Sequence, residues 1–358
     1  MAKDEIASTD WLAPAAKGRG MVRRHPGRLS RGLIAWGVML SVALALVSVP
    51  GFAADGPSPP VASPPPAAAP DETPKPETHL FDSGKLLATG GLSQIEGAGG
   101  GGLASWALIT GYGTENAIGT SAHGTTVYLS NFTLNSAGVG VGLFDRLEFT
   151  YDRQWFDTRS TGAALGLGNG FVFRQDIFGA KVKLAGDAVF DQDSWMPQIA
   201  AGVQYKKNDR AAVLKAIGAK SDHGTDFYIA ATKLFLAQSL LVDATLRETK
   251  ANQFGILGFG GDKNNAYTTQ FEGSVAYLLT RQLAAGFEIR TKPNNLGFAR
   301  EDNAGDVFIS YFLNKNLSAT LAYLYMGDVA TRTNQNGPYF SIQSRRPSAF
   351  LRVAAASS

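Results

Sequence analysis

The stretch Leu147–Trp155, which reads LEFTYDRQW, decides the fold because its side chains alternate between apolar and polar. Leu147, Phe149, Tyr151 and Trp155 share one parity, and Glu148, Thr150, Asp152 and Gln154 share the other. A period of two residues is that of a β-strand, whereas a helix repeats every 3.6 residues. The stretch is therefore predicted to be a strand with one apolar and one polar face.

The same alternation recurs from Lys85 onward, in segments of about ten residues separated by turn-forming residues. Its clearest examples are Lys181–Leu184, Leu241–Thr249, Phe271–Tyr277 and Phe287–Lys292. In a soluble sandwich the apolar face would pack in a core, and in a transmembrane barrel it would meet lipid. Alternation alone fits both architectures.

The lengths of the connections favour the barrel, because outer-membrane barrels have short periplasmic turns and long external loops. From the fifth predicted strand on, long and short connections mostly alternate. The long ones are Asp157–Arg174, Lys207–His223, Lys250–Asn265, Pro293–Asn303 and Asp328–Gly337, and Gly186–Pro197 is an exception of medium length. The segment Asp209–Lys220 has helical propensity and is predicted as a short helix in an external loop.

We therefore predict an all-β chain: a transmembrane antiparallel β-barrel of about 14 strands over residues 85–344, with both termini on the short-turn side. Its first two strands would be Lys85–Ile95 and Ser105–Tyr112. Twelve strands are the alternative, if this first hairpin is not in the wall. The closing strand is predicted at Tyr339–Ser344, or at Ala349–Val353 if residues 345–358 are not an extension.

The first 54 residues are predicted to be a signal peptide. Arginines at 23, 24, 28 and 31 precede an apolar run from Leu33 to Val49, and small residues at Gly51 and Ala53 suit cleavage after Ala53 or Ala54. An uncleaved membrane anchor is the alternative interpretation. Residues 55–84 are rich in proline and alanine and are predicted to be a disordered linker.

Charge and composition exclude several classes of function. The formal net charge is +3, but the first 54 residues hold seven of the 33 basic and only three of the 30 acidic residues, so the basic excess belongs to the leader. No nucleic-acid partner is therefore predicted. The absence of cysteine excludes a disulfide framework and a thiol nucleophile, and the four histidines lack metal-ligand spacing. No metal or cofactor is predicted.

The polar parity of the strands supplies the candidate functional residues, because charged side chains facing hydrocarbon are costly and should face the interior. These lumen-lining candidates are Glu148, Asp152, Lys181, Lys183, Asp243, Arg247, Glu272, Glu288, Arg290 and Lys292. Their mixed charge predicts a porin-like passive channel for small solutes. The alternative is a salt-bridged, closed interior in a structural or adhesive barrel that displays its long loops.

An outer-membrane hydrolase is the less favoured third reading, and no enzyme is predicted. His123 shares parity with Val127 and Leu129, so it is expected to point toward lipid, and His223 is expected to be a solvated loop residue. The glycine-rich stretch Gly97–Gly102 is not followed by the lysine of a phosphate-binding loop. The alternating Gly138, Gly140 and Gly142 indicate a curved wall or a close backbone approach.

Two stretches of the sequence are distinctive. The first is Lys85–Gly97, KLLATGGLSQIEG, followed by Gly99–Gly102 and Trp106, and the second is Gly140–Glu148, GVGLFDRLE, running on to Asp157. Both resemble signatures of the proteobacterial domain-of-unknown-function 3034 family. The resemblance covers roughly Lys85 to Ser344. It implies an exported outer-membrane protein, with outer-membrane lipid and the barrel-assembly machinery as partners, and it implies no particular chemistry.

Overall fold

The wall of the molecule is a closed barrel of twelve antiparallel strands, in a computed structural model that describes residues 90–115 and 117–347. A small hairpin, β1 (Leu92–Ser93) and β2 (Gly99–Gly100), precedes the wall. The wall strands are β3 (Ile118–Tyr128), β4 (Thr133–Leu143), β5 (Leu147–Asp157), β6 (Val172–Ala185), β7 (Gln198–Asn208), β8 (His223–Phe235), β9 (Leu240–Thr249), β10 (Thr268–Leu278), β11 (Leu283–Arg290), β12 (Ala304–Asn314), β13 (Leu317–Val329) and β14 (Arg332–Pro347).

Each wall strand pairs with its neighbours in sequence, and β14 pairs with β3 from Tyr339↔Val127 to Pro347↔Gly119, which closes the barrel. Closure satisfies the hydrogen bonds of both edge strands, as a membrane-spanning sheet requires. The predicted all-β barrel is confirmed, and its wall has twelve strands, which is the number predicted from the sequence as the alternative to 14.

The outer face of the wall is apolar and exposed, whereas the inner face is largely polar and buried. Exposed outward residues include Val139, Phe149, Phe178, Phe227, Ile229, Leu246, Ile309, Leu321, Phe340 and Ile342. A largely apolar exterior around a polar interior is the arrangement of a transmembrane barrel, because the exterior meets lipid. Strand alternation therefore predicted the wall correctly.

The connections differ between the two ends of the barrel. We call the end where β3 begins and β14 ends the terminal rim; its turns span 144–146, 236–239, 279–282 and 315–316, and only 186–197 is longer. The opposite end, the loop rim, carries 158–171, 209–222, 250–267 and 291–303. These loops contain the helices α1 (Arg159–Ala164) and α2 (Ala211–Ala216) and the 3-10 turn Asn252–Gly255. Within the described residues no helix has the length and apolar character to cross a bilayer.

The segment before β3 lies inside the barrel rather than in its wall. Every residue from 90 to 113 is buried, and we call this segment the plug. The predicted wall strands Lys85–Ile95 and Ser105–Tyr112 are therefore wrong in the residues described; Leu92–Ser93 and Gly99–Gly100 pair with each other, and a single bridge joins Gly100 to Ser105. A strand in the wall would expose one parity to lipid, and the plug exposes neither.

The last strand is longer than predicted. The predicted strand Tyr339–Ser344 lies within β14, and the predicted loop Asp328–Gly337 is wrong, because β13 and β14 continue to a turn at residues 330–331. The predicted signal peptide (1–54), the linker (55–84) and residues 348–358 of the predicted extension lie outside the described residues.

Charge on the outer face should destabilise the barrel in proportion to its depth. We expect Leu246→Arg, at an exposed apolar position well inside β9, to cost about 2–4 kcal/mol of folding free energy in a bilayer, since arginine near the midplane is poorly solvated. Denaturant titration of folding into lipid vesicles measures this cost. The matched Glu248→Arg, on the same face but nearer the loop rim, should cost about 0–1 kcal/mol. Equal costs would contradict the assignment of this face to lipid.

Candidate functional site: the barrel lumen and its plug

Three glutamates of the wall accept hydrogen bonds from backbone N–H groups of the plug. The pairs are Glu148 with Gly99 (2.9 Å) and Thr110 (2.8 Å), Glu288 with Leu103 (2.6 Å), and Glu272 with Ser105 (2.8 Å). A buried N–H without a partner is costly, and a carboxylate is a strong acceptor. These predicted lumen residues thus hold the plug.

Basic and amide side chains of the wall donate to plug carbonyl oxygens. The donors and acceptors include Lys181 to Gly99 (2.8 Å) and Leu108 (2.7 Å), Arg290 to Leu103 (3.2 Å), Gln154 to Ile95 (2.7 Å), Gln198 to Ala107 (2.7 Å), and Arg345 to Gly91. Lys181 also pairs with Glu148 at 3.1 Å. The wall therefore recognises the plug largely through its backbone.

Glycines make this close approach possible. A Cβ atom at Gly142 would overlap the carbonyl oxygen of Thr110, and one at Gly101 would overlap the carboxylate of Glu288. Gly138 and Gly140 likewise face inward and have close neighbours within the lumen. The sequence left open whether the alternating glycines mark a curved wall or a close backbone approach, and the structure shows a close approach.

The plug also contributes one charge, Glu96, to an ionic cluster in the lumen. Its carboxylate contacts Lys206 Nζ through Oε1 and lies 2.8 Å from Arg290 Nη1 through Oε2. The wall members are otherwise joined by Lys206–Asp226 (2.7 Å), Arg247–Asp226 (3.5 Å), Arg290–Glu272 (3.2 Å) and Arg247–Glu272. We call these six residues the ionic cluster; all are buried.

Asp152 lies beneath the plug with His123 and Ser136. His123 Nε2 is 3.0 Å from Asp152 Oδ2, and Ser136 Oγ donates to the same oxygen at 2.8 Å. His123 is buried, so its predicted orientation toward lipid is wrong. Val127, which shares the parity of His123, is also buried, in an apolar cluster, and this parity of β3 faces the interior of the barrel. A nucleophilic relay needs serine and carboxylate on different ring nitrogens, whereas here both lie against Nε2.

The remaining candidates have other positions. Asp243 accepts a hydrogen bond from Thr232 Oγ1 at 2.5 Å inside the barrel. Lys183 lies at the terminal rim and pairs with Asp145 at 2.8 Å. Lys292 follows the end of β11 and donates to Met326 O at 2.8 Å at the loop rim. The predicted set of lumen residues thus combined residues of the rims, such as Lys183 and Lys292, with residues of the central lumen.

Sequence reasoning missed three members of the ionic cluster, Glu96, Lys206 and Asp226. Lys206 and Asp226 lie in segments that were predicted as strands, but the inward face of β8 also carries Tyr228 and Ala230, so its alternation is weak. The inward parity of β7, on which Lys206 shares a face with Gln204, is the signal that could have found it.

Residues 251–261 cover the lumen at the loop rim, and we call this buried segment the lid. Gln253 and Phe254 adopt left-handed backbone conformations (φ 46° and 61°), which are strained for residues other than glycine. The ring of Phe254 lies 4.1 Å from the Arg290 guanidinium, and Phe254 O accepts from Lys206 at 3.3 Å. The lid therefore rests on two members of the ionic cluster.

Glu301 fastens the lid from the neighbouring loop, and both of its carboxylate oxygens lie 2.9 Å from Gln253 N. Burial raises the pKa of Glu301 to about 7, although Lys292 and the Gln253 N–H act in the opposite direction. Burial lowers the pKa of Lys292 to about 8, against the effect of Glu301.

Plug and lid approach each other closely inside the barrel. Between them lies a cavity of about 20 Å³, lined among others by Ile95, Leu103 and Phe254. Such a volume suits no more than a single water molecule, and its lining is apolar. In residues 90–115 and 117–347 no group of three His, Cys, Asp or Glu side chains is placed to hold a metal ion.

Comparison with known proteins gives a family and a set of distant barrel structures. A family model described as a protein of unknown function, DUF3034, matches residues 89–343. No curated protein matches the sequence. Similar solved structures include the KdgM porin (11% identity, 63% of this chain and 98% of the porin covered, TM-score 0.41), the NanC porin (11%, 64% and 99%, 0.40) and Escherichia coli outer membrane phospholipase A (9%, 66% and 94%, 0.36). At these values the similarity says nothing about solute or activity.

A side chain at Gly142 should dislodge the plug. We expect Gly142→Ala to displace the chain around Thr110, at a cost of about 1–3 kcal/mol, because a rigid backbone oxygen occupies the required space. Limited proteolysis of the folded barrel, followed by mass spectrometry, detects a displaced plug as new cleavage between residues 90 and 113. Gly124→Ala is the control, since a Cβ at Gly124 meets nothing within 4 Å. An uncleaved plug in Gly142→Ala would contradict the close approach.

Closure of the lid should become less favourable as pH rises from about 5 to 7, because the buried Glu301 carboxyl must then carry a charge. A pKa raised from 4.5 to about 7 means that the closed lid favours the protonated carboxyl of Glu301, so ionisation over this interval opposes closure. Hydrogen exchange of lid amides, corrected for intrinsic rates, should show lower protection at pH 7 than at pH 5. Glu301→Gln should remove this difference, whereas Glu248→Gln, at an exposed position on β9, should retain it. Equal protection at both pH values in the unaltered protein would contradict the prediction.

Proposed function

Since the chain belongs to the DUF3034 family, whose function is unknown, we propose from its geometry that it is an outer-membrane channel for small solutes that its own plug holds closed. One observation carries this proposal: the wall holds the plug through charged and amide side chains on the inner face. Water can replace such contacts when the plug leaves, whereas a lumen lined by apolar side chains would resist wetting.

The lumen that the plug would vacate carries both signs of charge. Inward-facing acidic residues include Glu148, Asp226, Glu272 and Glu288, and inward-facing basic residues include Lys181, Lys206, Arg247 and Arg290. Charged linings of this kind favour passage of polar solutes and water. Export by the predicted signal peptide and insertion by the barrel-assembly machinery belong to the same proposal.

A non-conducting barrel is the second candidate, and closure of the lumen by both plug and lid favours it. In that case the loops 158–171 and 209–222 at the loop rim would be the functional surface. Shortening these loops would then reduce adhesion or partner binding, while the permeability of the membrane stayed unchanged.

Removing the charge of Glu96 should open the channel. Glu96→Gln leaves the three cations of the ionic cluster facing only Asp226 and Glu272, and an uncompensated buried charge costs about 3–5 kcal/mol. In planar bilayers we expect the unaltered protein to be mostly closed and Glu96→Gln to be open at least about tenfold more often, because tenfold corresponds to only about 1.4 kcal/mol.

The matched control is Glu115→Gln, the same change at an exposed residue just after the plug. It should conduct as the unaltered protein does. Heat-modifiable gel mobility checks that each barrel is folded, and proteolysis checks that the plug has moved. A folded Glu96→Gln barrel whose plug is displaced, but which leaves the bilayer sealed at every voltage, would refute the channel and support the second candidate.

A further inference from the structure

The ionic cluster is balanced only when the plug is in place. Its cations are Lys206, Arg247 and Arg290, and its wall anions are Asp226 and Glu272. Glu96 is the third anion and the only member that belongs to the plug. When the plug leaves, the cluster retains three cations and two anions, a surplus of one positive charge among its own members.

The two cations that contact Glu96 are held by partners outside the plug. Asp226 lies 2.7 Å from Lys206 Nζ, and Phe254 O accepts from the same nitrogen at 3.3 Å. Glu272 lies 3.2 Å from Arg290 Nε, and the Phe254 ring lies 4.1 Å from its guanidinium. Arg290 also donates to Leu103 O of the plug, but the contacts with wall and lid do not depend on the plug, and through them the two cations form a preorganised anion site between β7 and β11.

The surplus of one charge defines the kind of anion that fits. Glu96 presents one oxygen to Lys206 and the other to Arg290, which is the pattern of a bridged carboxylate. A monoanion balances the surplus of one charge that Asp226 and Glu272 leave on the three cations, whereas an anion with two negative charges would leave a buried charge uncompensated, which is costly.

We propose that Lys206 and Arg290 form a carboxylate-binding site, that Glu96 occupies it as an internal ligand in the closed state, and that a small monocarboxylate competes with Glu96 and releases the plug. This inference rests on the proposed channel and names the class of ligand that opens it. Competition follows from mass action, because a ligand that binds only the plug-free site shifts the population toward that state.

The test uses acetate, with acetamide as its uncharged isostere and phosphate as a more highly charged anion, at constant ionic strength and pH. Lys206→Met removes a cation of the site. Lys181→Met is its matched control, because Lys181 also donates to the plug, at Gly99 O and Leu108 O, yet lies outside the ionic cluster. Both variants lose contacts with the plug, but only Lys206→Met loses a cation of the carboxylate-binding site.

We expect acetate to raise the open probability of the unaltered protein and of Lys181→Met, with a dissociation constant on the order of millimolar, as for a weak single-group contact. Acetamide should have no effect, phosphate should act more weakly than acetate, and Lys206→Met should not respond to acetate. An equal response of Lys206→Met and Lys181→Met, or of acetate and acetamide, would overturn the site. If Lys206→Met fails to fold, Arg290→Gln takes its place.

Titration calorimetry of acetate into the same purified proteins separates this inference from the channel itself. Acetate that binds to Lys181→Met but never produces conductance would refute the channel and leave the carboxylate site standing. A Lys181→Met barrel that conducts but binds no acetate would refute the site and leave the channel standing.

Discussion

The structure depends on one constraint, which is that a polypeptide enclosed in a barrel must find a wall partner for the hydrogen bonds it gives up to water. Leu103 N and Ser105 N end on Glu288 and Glu272, and Leu108 O ends on Lys181. An unpaired buried N–H or C=O costs as much as several such contacts contribute, so the pairing must be nearly complete. The inner face of the wall carries charged side chains because the backbone of the plug needs hydrogen-bond partners in place of water.

This constraint also accounts for the composition of the plug. Its backbone is the part that the wall contacts, and a Cβ atom at Gly99 or Gly101 would overlap the carboxylate of Glu148 or Glu288. A Cβ atom at Gly100 would overlap the plug's own backbone at Ala104. Apolar plug residues are placed where the wall offers apolar partners, as Trp106 is with Leu234 and Leu241. The Trp106 indole N–H still requires an acceptor, and Ser274 Oγ provides it at 2.8 Å. The polar and the apolar contacts thus hold the plug in the same position against the wall.

The sequence predicted the wall well and the plug poorly, for one physical reason. A wall strand separates lipid from lumen, so the strand Leu147–Asp157 shows its two faces in its sequence. The plug is surrounded on all sides by protein, so residues 105–112 mix polar and apolar side chains and resemble a strand in their sequence without being one.

The plug also weakens the alternation of the wall strands that it contacts. Ala107 packs against Tyr228 and Ala230, so the inner face of β8 carries apolar residues, and the alternation that would have indicated Asp226 is lost. His123 was assigned to the wrong face because an apolar patch of the lumen includes Val127.

The two closures of the lumen are coupled through shared residues. Lys206 contacts both Glu96 of the plug and Phe254 O of the lid, and Arg290 contacts Glu96, Leu103 O and the Phe254 ring. If the plug leaves, both cations lose their contact with Glu96 and attract another anion, which weakens their support of a lid already strained at Gln253 and Phe254. If the lid lifts, both cations gain water and hold Glu96 less strongly, because screening weakens a buried ion pair. A single event at Lys206 and Arg290 therefore weakens both closures, and a ligand would have to compete only at that point.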